Sequence, residues 1–171
     1  MGGIINRLWW GGDPDAPDPE TGLSKRDVYN IQRSWTVVYA NADVHGLKLF
    51  LGLFTVDPVT KTYFKAVRNL NEEQIRKSYQ FKAHVLNLMS SVNTAVTNLH
   101  QPAVVIALMN KLGETHRARN VEKKHFEEVK VILVDILKDD LKATDDIIES
   151  WARFITFIYK YIFEKLCETQ N

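Results

Sequence analysis

Between Leu23 and Cys167 the apolar residues recur at steps of three and four, and no stretch of useful length alternates at a period of two. A step of three or four stacks side chains on one face of a helix, whereas a half-buried strand needs strict alternation. The pattern therefore confines the chain to an all-α fold. Val28, Ile31, Trp35 and Val38 mark a helix over about 24–40, opened by Ser24 with Asp27 three places on, a relative of the capping box. Leu47, Phe50, Leu51 and Phe54 form a second series that runs to Asp57-Pro58. Proline suits the first turn of the short helix that follows, which Phe64 closes. After an irregular connection at 65–71, a helix over roughly 72–98 carries Phe81, His84, Val85, Leu88, Val92 and Val96 on one face. Pro102 opens the next, with Val105, Leu108, Leu112 and His116 in register, and the run Arg117 to Asn120 stops it. Two more helices are predicted over about 122–139 and 145–167, and no internal repeat is present.

A chain of 171 residues with 45% hydrophobic content can bury one core and still line a cavity. Its 22 Lys and Arg against 21 Asp and Glu leave no electrostatic footprint for nucleic acid or for a broad anionic membrane surface. Cys167 is the single cysteine, so no internal disulfide forms, which fits a reducing compartment. The apolar pieces of Met1 to Trp10 are too short for a signal core or a membrane span. The expected location is cytoplasmic.

Residues 11–22, GGDPDAPDPETG, hold three of the five prolines among glycines and acids, a composition that cannot bury enough apolar surface to fold alone. The domain reading is a flexible N-terminal arm over 1–22 and one folded domain over 23–171. At its head, Gly2 begins an acylation pattern, but Asn6 stands where Ser or Thr belongs. One acyl chain would bind a membrane only marginally, even beside Trp9 and Trp10. The arm is expected to fold back or stay unstructured, without membrane association.

His84 and His116 each sit in the apolar stripe of a predicted helix, with a helix break between them. Neutral imidazole is a good ligand for iron, and apolar neighbours on the same face could support a flat ring. His116 has Leu112 and Leu108 one and two turns before it, and His84 has Phe81 and Leu88 as flanks. On spacing alone the plainer reading holds, because a lone histidine on an apolar face is more often a hydrogen-bonded core residue. The 32 residues from 84 to 116 match no short metal signature, and no local Cys/His cluster supports zinc. His45, His100 and His125 carry no site reading: His45-Gly46 fits a tight helix crossing, and the other two read as solvent-facing or helix-end residues.

The wider order of residues changes the reading. Ser34-Trp35, His45-Gly46, Leu49-Phe50, Leu53-Phe54, Asp57-Pro58, Phe64, His84, His116-Arg117-Ala118, Val121 and Phe126 together resemble the globin family. The phrases NIQRSWTVVY, LFTVDP, AVTNL and LGETHRARNV are most similar to neuroglobins and to intracellular globins of invertebrates. The resemblance covers about residues 24–167 and implies a globin fold, a three-over-three helical sandwich. It implies haem b (iron protoporphyrin IX) as cofactor, His116 as proximal ligand and His84 as distal histidine. By the same resemblance Phe64 packs on the haem edge, Phe50 and Leu88 line the distal side, and Leu112, Val121 and Phe126 pack on the proximal side. Arg117, Arg119, Lys82 and Asn87 are candidates at the mouth for the haem propionates.

The expected function is reversible binding of a diatomic gas, oxygen, CO or NO, by iron that is hexacoordinate through both histidines until an external ligand displaces His84. An alternative is a pentacoordinate oxygen store or carrier, in which His84 only donates a hydrogen bond to the bound gas. A rival of another class is a haem-free helical interaction module. Nitric-oxide dioxygenation or nitrite reduction with a reductase partner is compatible with the pocket and is not read from any residue. The chain lacks the cysteine pair of vertebrate neuroglobin, so thiol-disulfide tuning is in doubt.

Overall fold

The computed structural model describes residues 10–168, and it is helical without strands among them. The helices are α1 (Lys25–Ala40), α2 (Ala42–Val56), α3 (Glu72–Lys77), α4 (Tyr79–Thr97), α5 (Pro102–Arg117), α6 (Lys123–Asp139) and α7 (Asp145–Leu166), with a 3-10 turn at Pro58–Tyr63. Helices α1, α4 and α5 form one layer against α2, α6 and α7, with α1 and α5 crossing α7 and α2 crossing α4.

Local chemistry sets the helix limits. Ser24 opens α1 with a complete capping box, its hydroxyl accepting from the Asp27 N–H while Asp27 accepts from the Ser24 N–H. Asp57 caps the 3-10 turn by accepting from the Val59 N–H at 3.0 Å. The single helix expected over 72–98 is two. Ser78 interrupts it in extended backbone, and its hydroxyl accepts the Phe81 N–H at 3.3 Å to start α4 afresh. A serine side chain that competes for backbone donors favours such a break over a helix interior. Downstream, α5 ends where Asn120 takes a left-handed φ of 58° and the Val121 N–H returns to the His116 carbonyl at 3.2 Å. Asparagine is one of the few residues that adopt this conformation readily.

Two glycines permit the close crossings. A Cβ at Gly46 would meet Val85 Cγ1 at 2.7 Å and Met89 Cγ at 2.8 Å, so α2 and α4 touch there, as the His45-Gly46 reading expected. A Cβ at Gly113 would collide with the Ile162 carbonyl, bringing α5 against α7. Around these crossings the largest core cluster gathers Trp35, Leu137, Trp151 and Phe154. The two indoles lie 5.8 Å apart and satisfy their N–H groups on Asn93 and Ser34, so neither aromatic is buried with an orphan donor. Buried Asp27 receives Arg153 of α7 at 2.9 Å, an ion pair that ties the first helix to the last.

The proline-rich segment lies along the start of α1. Asp18 closes a turn by accepting from Thr21, Arg26 pairs with Asp15 at 2.6 Å, and Lys25 donates to the Trp10 carbonyl at 2.7 Å. Gly2, Asn6 and Trp9, on which the acylation reading turned, lie outside the described residues. No helix among the described residues is long and apolar enough to cross a membrane.

Candidate functional site

His84 leaves the second turn of α4 among aromatic rings. Phe64 stands edge-on to its imidazole with centroids 5.0 Å apart, Phe50 lies at 5.4 Å, and Phe81, one turn earlier on the same helix, stacks at 6.2 Å. Phe54 completes the cluster through contacts with Phe50, Phe64 and Phe81, and Leu88 packs against the same group. Phe50 and Phe81 are buried, Phe64 and Leu88 half-buried, and His84 is exposed. The structure therefore gathers Phe50, Phe64, His84 and Leu88 from three different elements.

On α5, half-buried His116 is oriented by its own helix. Its Nδ1 lies 2.9 Å from the Leu112 carbonyl oxygen. A carbonyl can only accept, so Nδ1 carries the proton and Nε2 keeps a free lone pair. Phe126 of α6 packs on the ring with centroids 5.3 Å apart, and is itself held edge-on by Tyr159 and Phe163 of α7. Tyr159 donates its hydroxyl to the Phe126 carbonyl, and burial raises its pKa far above the ordinary tyrosine value. Val121 joins this group through its N–H to His116, and Leu112 through its carbonyl. Tyr159 and Phe163 were missed in the sequence because in a long amphipathic helix they look like any other core aromatics.

The electrostatics favour neutral rings. Burial lowers the pKa of His116 and Arg119 lowers it further, against the bond to Leu112 that raises it. His84 is exposed at its outer edge, but desolvation by the aromatic rings packed against it is the largest cause of its lowered pKa, with the charges of His116 and Arg119 adding to the depression. Both imidazoles are thus held in the form that offers a lone pair. Of the four candidates at the mouth, Lys82 is paired with Asp43 at 2.9 Å and Arg117 with Glu168 at 3.3 Å, whereas Arg119 bonds only the Thr115 carbonyl. Asn87 contributes only a backbone bond to Ser91.

Of the remaining histidines, His100 is exposed and pairs with Gln101, as expected of a helix-end residue. His125 is the helix-end residue of the two alternatives and not the solvent-facing one: it stands in the first turn of α6 and is 4% exposed. The helix-start position hid this, because its burial comes from the 3-10 turn packed against it. Two cavities, of about 260 and 190 Å³, lie beside Asp27 and Arg153 and beside Asp43 and Ile75, and neither includes His84 or His116.

These residues fit a haem: a tautomer-fixed imidazole on α5, a second imidazole on α4, and aromatic rings packed against each. Comparison with known proteins agrees. A family model described as Globin matches residues 47–162. Cytoglobin-2 of Oryzias latipes is 26% identical over 152 residues, covering 86% of this chain and 85% of that protein. Neuroglobin of Dissostichus mawsoni is 31% identical over 140 residues, covering 80% and 87%. Among solved structures, a hexacoordinated heme protein from an anhydrobiotic tardigrade superposes with a TM-score of 0.80 at 23% identity, covering 88% of this chain and 99% of that one. The two layers of three helices described above are the globin fold, and family membership implies a haem cofactor. By sequence and by architecture, the chain belongs to the globin family.

Proposed function

We propose that this globin holds haem b between α4 and α5, with His116 as proximal ligand and His84 as an internal distal ligand that a diatomic gas must displace. The observation that carries the reading is the bond from His116 Nδ1 to the Leu112 carbonyl, 2.9 Å long, which leaves Nε2 as the one ring nitrogen free for iron. Ferrous haem supplies a coordination position that takes oxygen, CO or NO.

This chain's residues then divide the work. His116 fixes the axis, Phe126 braces its ring from below, and Leu112 and Val121 fill the proximal side. Phe50 and Phe64 pack against the His84 ring and Leu88 joins the same apolar cluster, which leaves the outer face of the imidazole open. Arg119, whose side chain bonds the Thr115 carbonyl, is the candidate of the four that would pair with a propionate. The aromatic fence favours the hexacoordinate state: three rings hold the neutral His84 imidazole, so little side-chain entropy remains to be lost when it coordinates. The tardigrade protein indicates that the fold accommodates that state.

The test is haem uptake by the haem-free protein. The account expects stoichiometric binding with an intense Soret band, near-complete loss of retention in His116→Ala, and retention in His84→Leu. Absence of a Soret band would remove both haem readings and leave the helical interaction module.

A further inference from the structure

We infer that His125 is a positioning residue of the haem crevice, which with Asp57 clasps the turn after His116 to the segment that carries Phe64 and so governs how readily His84 occupies the iron. The inference rests on the bis-histidyl reading above.

His125 begins with a capping role. Its Nδ1 accepts the Glu122 N–H at 3.0 Å, at the start of α6. A ring nitrogen that accepts carries no proton, so the N–H is on Nε2. Capping alone would be served as well or better by serine or aspartate. The imidazole adds a second nitrogen, and Nε2 faces Asp57 Oδ2 at 3.6 Å, where Lys124 also approaches at 3.4 Å. Both His125 and Asp57 are largely withdrawn from water, with side chains 6% and 13% exposed, which strengthens the attraction beyond that of a surface pair. Asp57 uses its other oxygen to cap the 3-10 turn through Val59.

A second crossing runs parallel to the first. Tyr63, the last residue of the 3-10 turn, stands edge-on to His125 with centroids 5.5 Å apart, and its hydroxyl donates to the Asn120 carbonyl at 3.3 Å. Residues 120–125 are thus fastened at two points to residues 57–63. On one side this joint continues to His116, whose carbonyl accepts the Val121 N–H. On the other it continues to Phe64, which caps the 3-10 turn and stands 5.0 Å from the His84 ring. The clasp is a short packed route between two histidines that lie 32 residues apart in the chain. Without it Phe64 gains freedom and His84 loses one wall of its fence, which favours the five-coordinate form.

The experiment compares haem-loaded wild type, His125→Ala and His125→Gln, whose amide can both accept from Glu122 and donate to Asp57. The ratio of six- to five-coordinate ferrous protein is read from spectra and from CO association kinetics. It should fall about fivefold in His125→Ala, on the scale of one partly buried dipole–charge contact, and recover in His125→Gln. In the haem-free proteins, amide exchange should quicken in His125→Ala at Thr60 and Phe64 as well as at Glu122. A mere cap would move only Glu122. If His125→Ala does not fold, Asp57→Asn keeps the cap on Val59, removes the charge and should lower the ratio in the same direction. A six-coordinate wild type whose ratio is unchanged or raised in these variants overturns the clasp alone. A five-coordinate wild type overturns the bis-histidyl reading and the clasp with it.

Discussion

A histidine presents one defined nitrogen to a metal only when the other is occupied, and at position 116 the occupant is a backbone carbonyl of the same helix, four residues back. His84 has no such bond and is held by packing instead, so the two residues should respond differently to substitution. His84→Leu keeps the apolar fence but removes the competing imidazole. CO association by the ferrous protein should accelerate at least about tenfold, as expected when the open state ceases to be a minor population; stopped-flow mixing reads this directly. Gly113 makes a different demand. A Cβ there would collide with the Ile162 carbonyl and sit 2.9 Å from Lys165 Cβ, whereas at Gly46 it would meet the flexible Met89 side chain and one valine methyl. Gly113→Ala should therefore destabilise by about 2–3 kcal/mol and Gly46→Ala by less, on the scale of overpacked cores, measured by urea unfolding of the haem-free protein. That His116 and Leu112 share one helical stripe was legible in the sequence, because residues four apart on a helix lie on one face; the ligand reading came from the family resemblance. His125 was not, because its partners Asp57 and Tyr63 come from more than sixty positions away.

Helix boundaries follow from side chains that compete with the backbone. Periodicity located α1, α2, the 3-10 turn and α5 to α7 closely, since Ser24, Pro58, Pro102 and Asn120 each mark an end with recognisable chemistry. The division between α3 and α4 was hidden, because apolar spacing runs on across Ser78, whose extended backbone and hydroxyl accepting the Phe81 N–H separate the two. The break lets Ile75 and Phe81 both reach the buried cluster behind His84, although they belong to helices with separate starts. Ser78→Ala removes the cap and should cost about 1 kcal/mol. Circular dichroism and urea midpoints would show this as a lower midpoint at unchanged slope, and an unchanged midpoint would mean that packing alone ends α3.

Across the whole molecule, pairing between distant helices ties the two layers together. The all-α class could be read from the chain, but the way α1 is tied to α7 could not, because no local pattern couples Asp27 to Arg153, 126 residues on. Burial works to raise the Asp27 pKa, yet the Ser24 N–H, the Arg153 guanidinium and the Ser150 hydroxyl outweigh it and hold the carboxyl below its ordinary 3.8. A carboxylate with a lowered folded pKa stabilises the native state above the unfolded value, near pH 4, and that contribution is lost as pH falls through the folded pKa. Unfolding midpoints of the haem-free wild type should thus drop more steeply below pH 4 than those of Asp27→Asn, which starts lower and titrates less. The central claim concerns the space between α4 and α5, and one spectrum bears on it most directly: the visible absorption of the deoxygenated ferrous protein. Two axial histidines give a sharp, split pair of bands that collapses in His84→Leu, which is the result expected here; a single broad band in the wild type would contradict it.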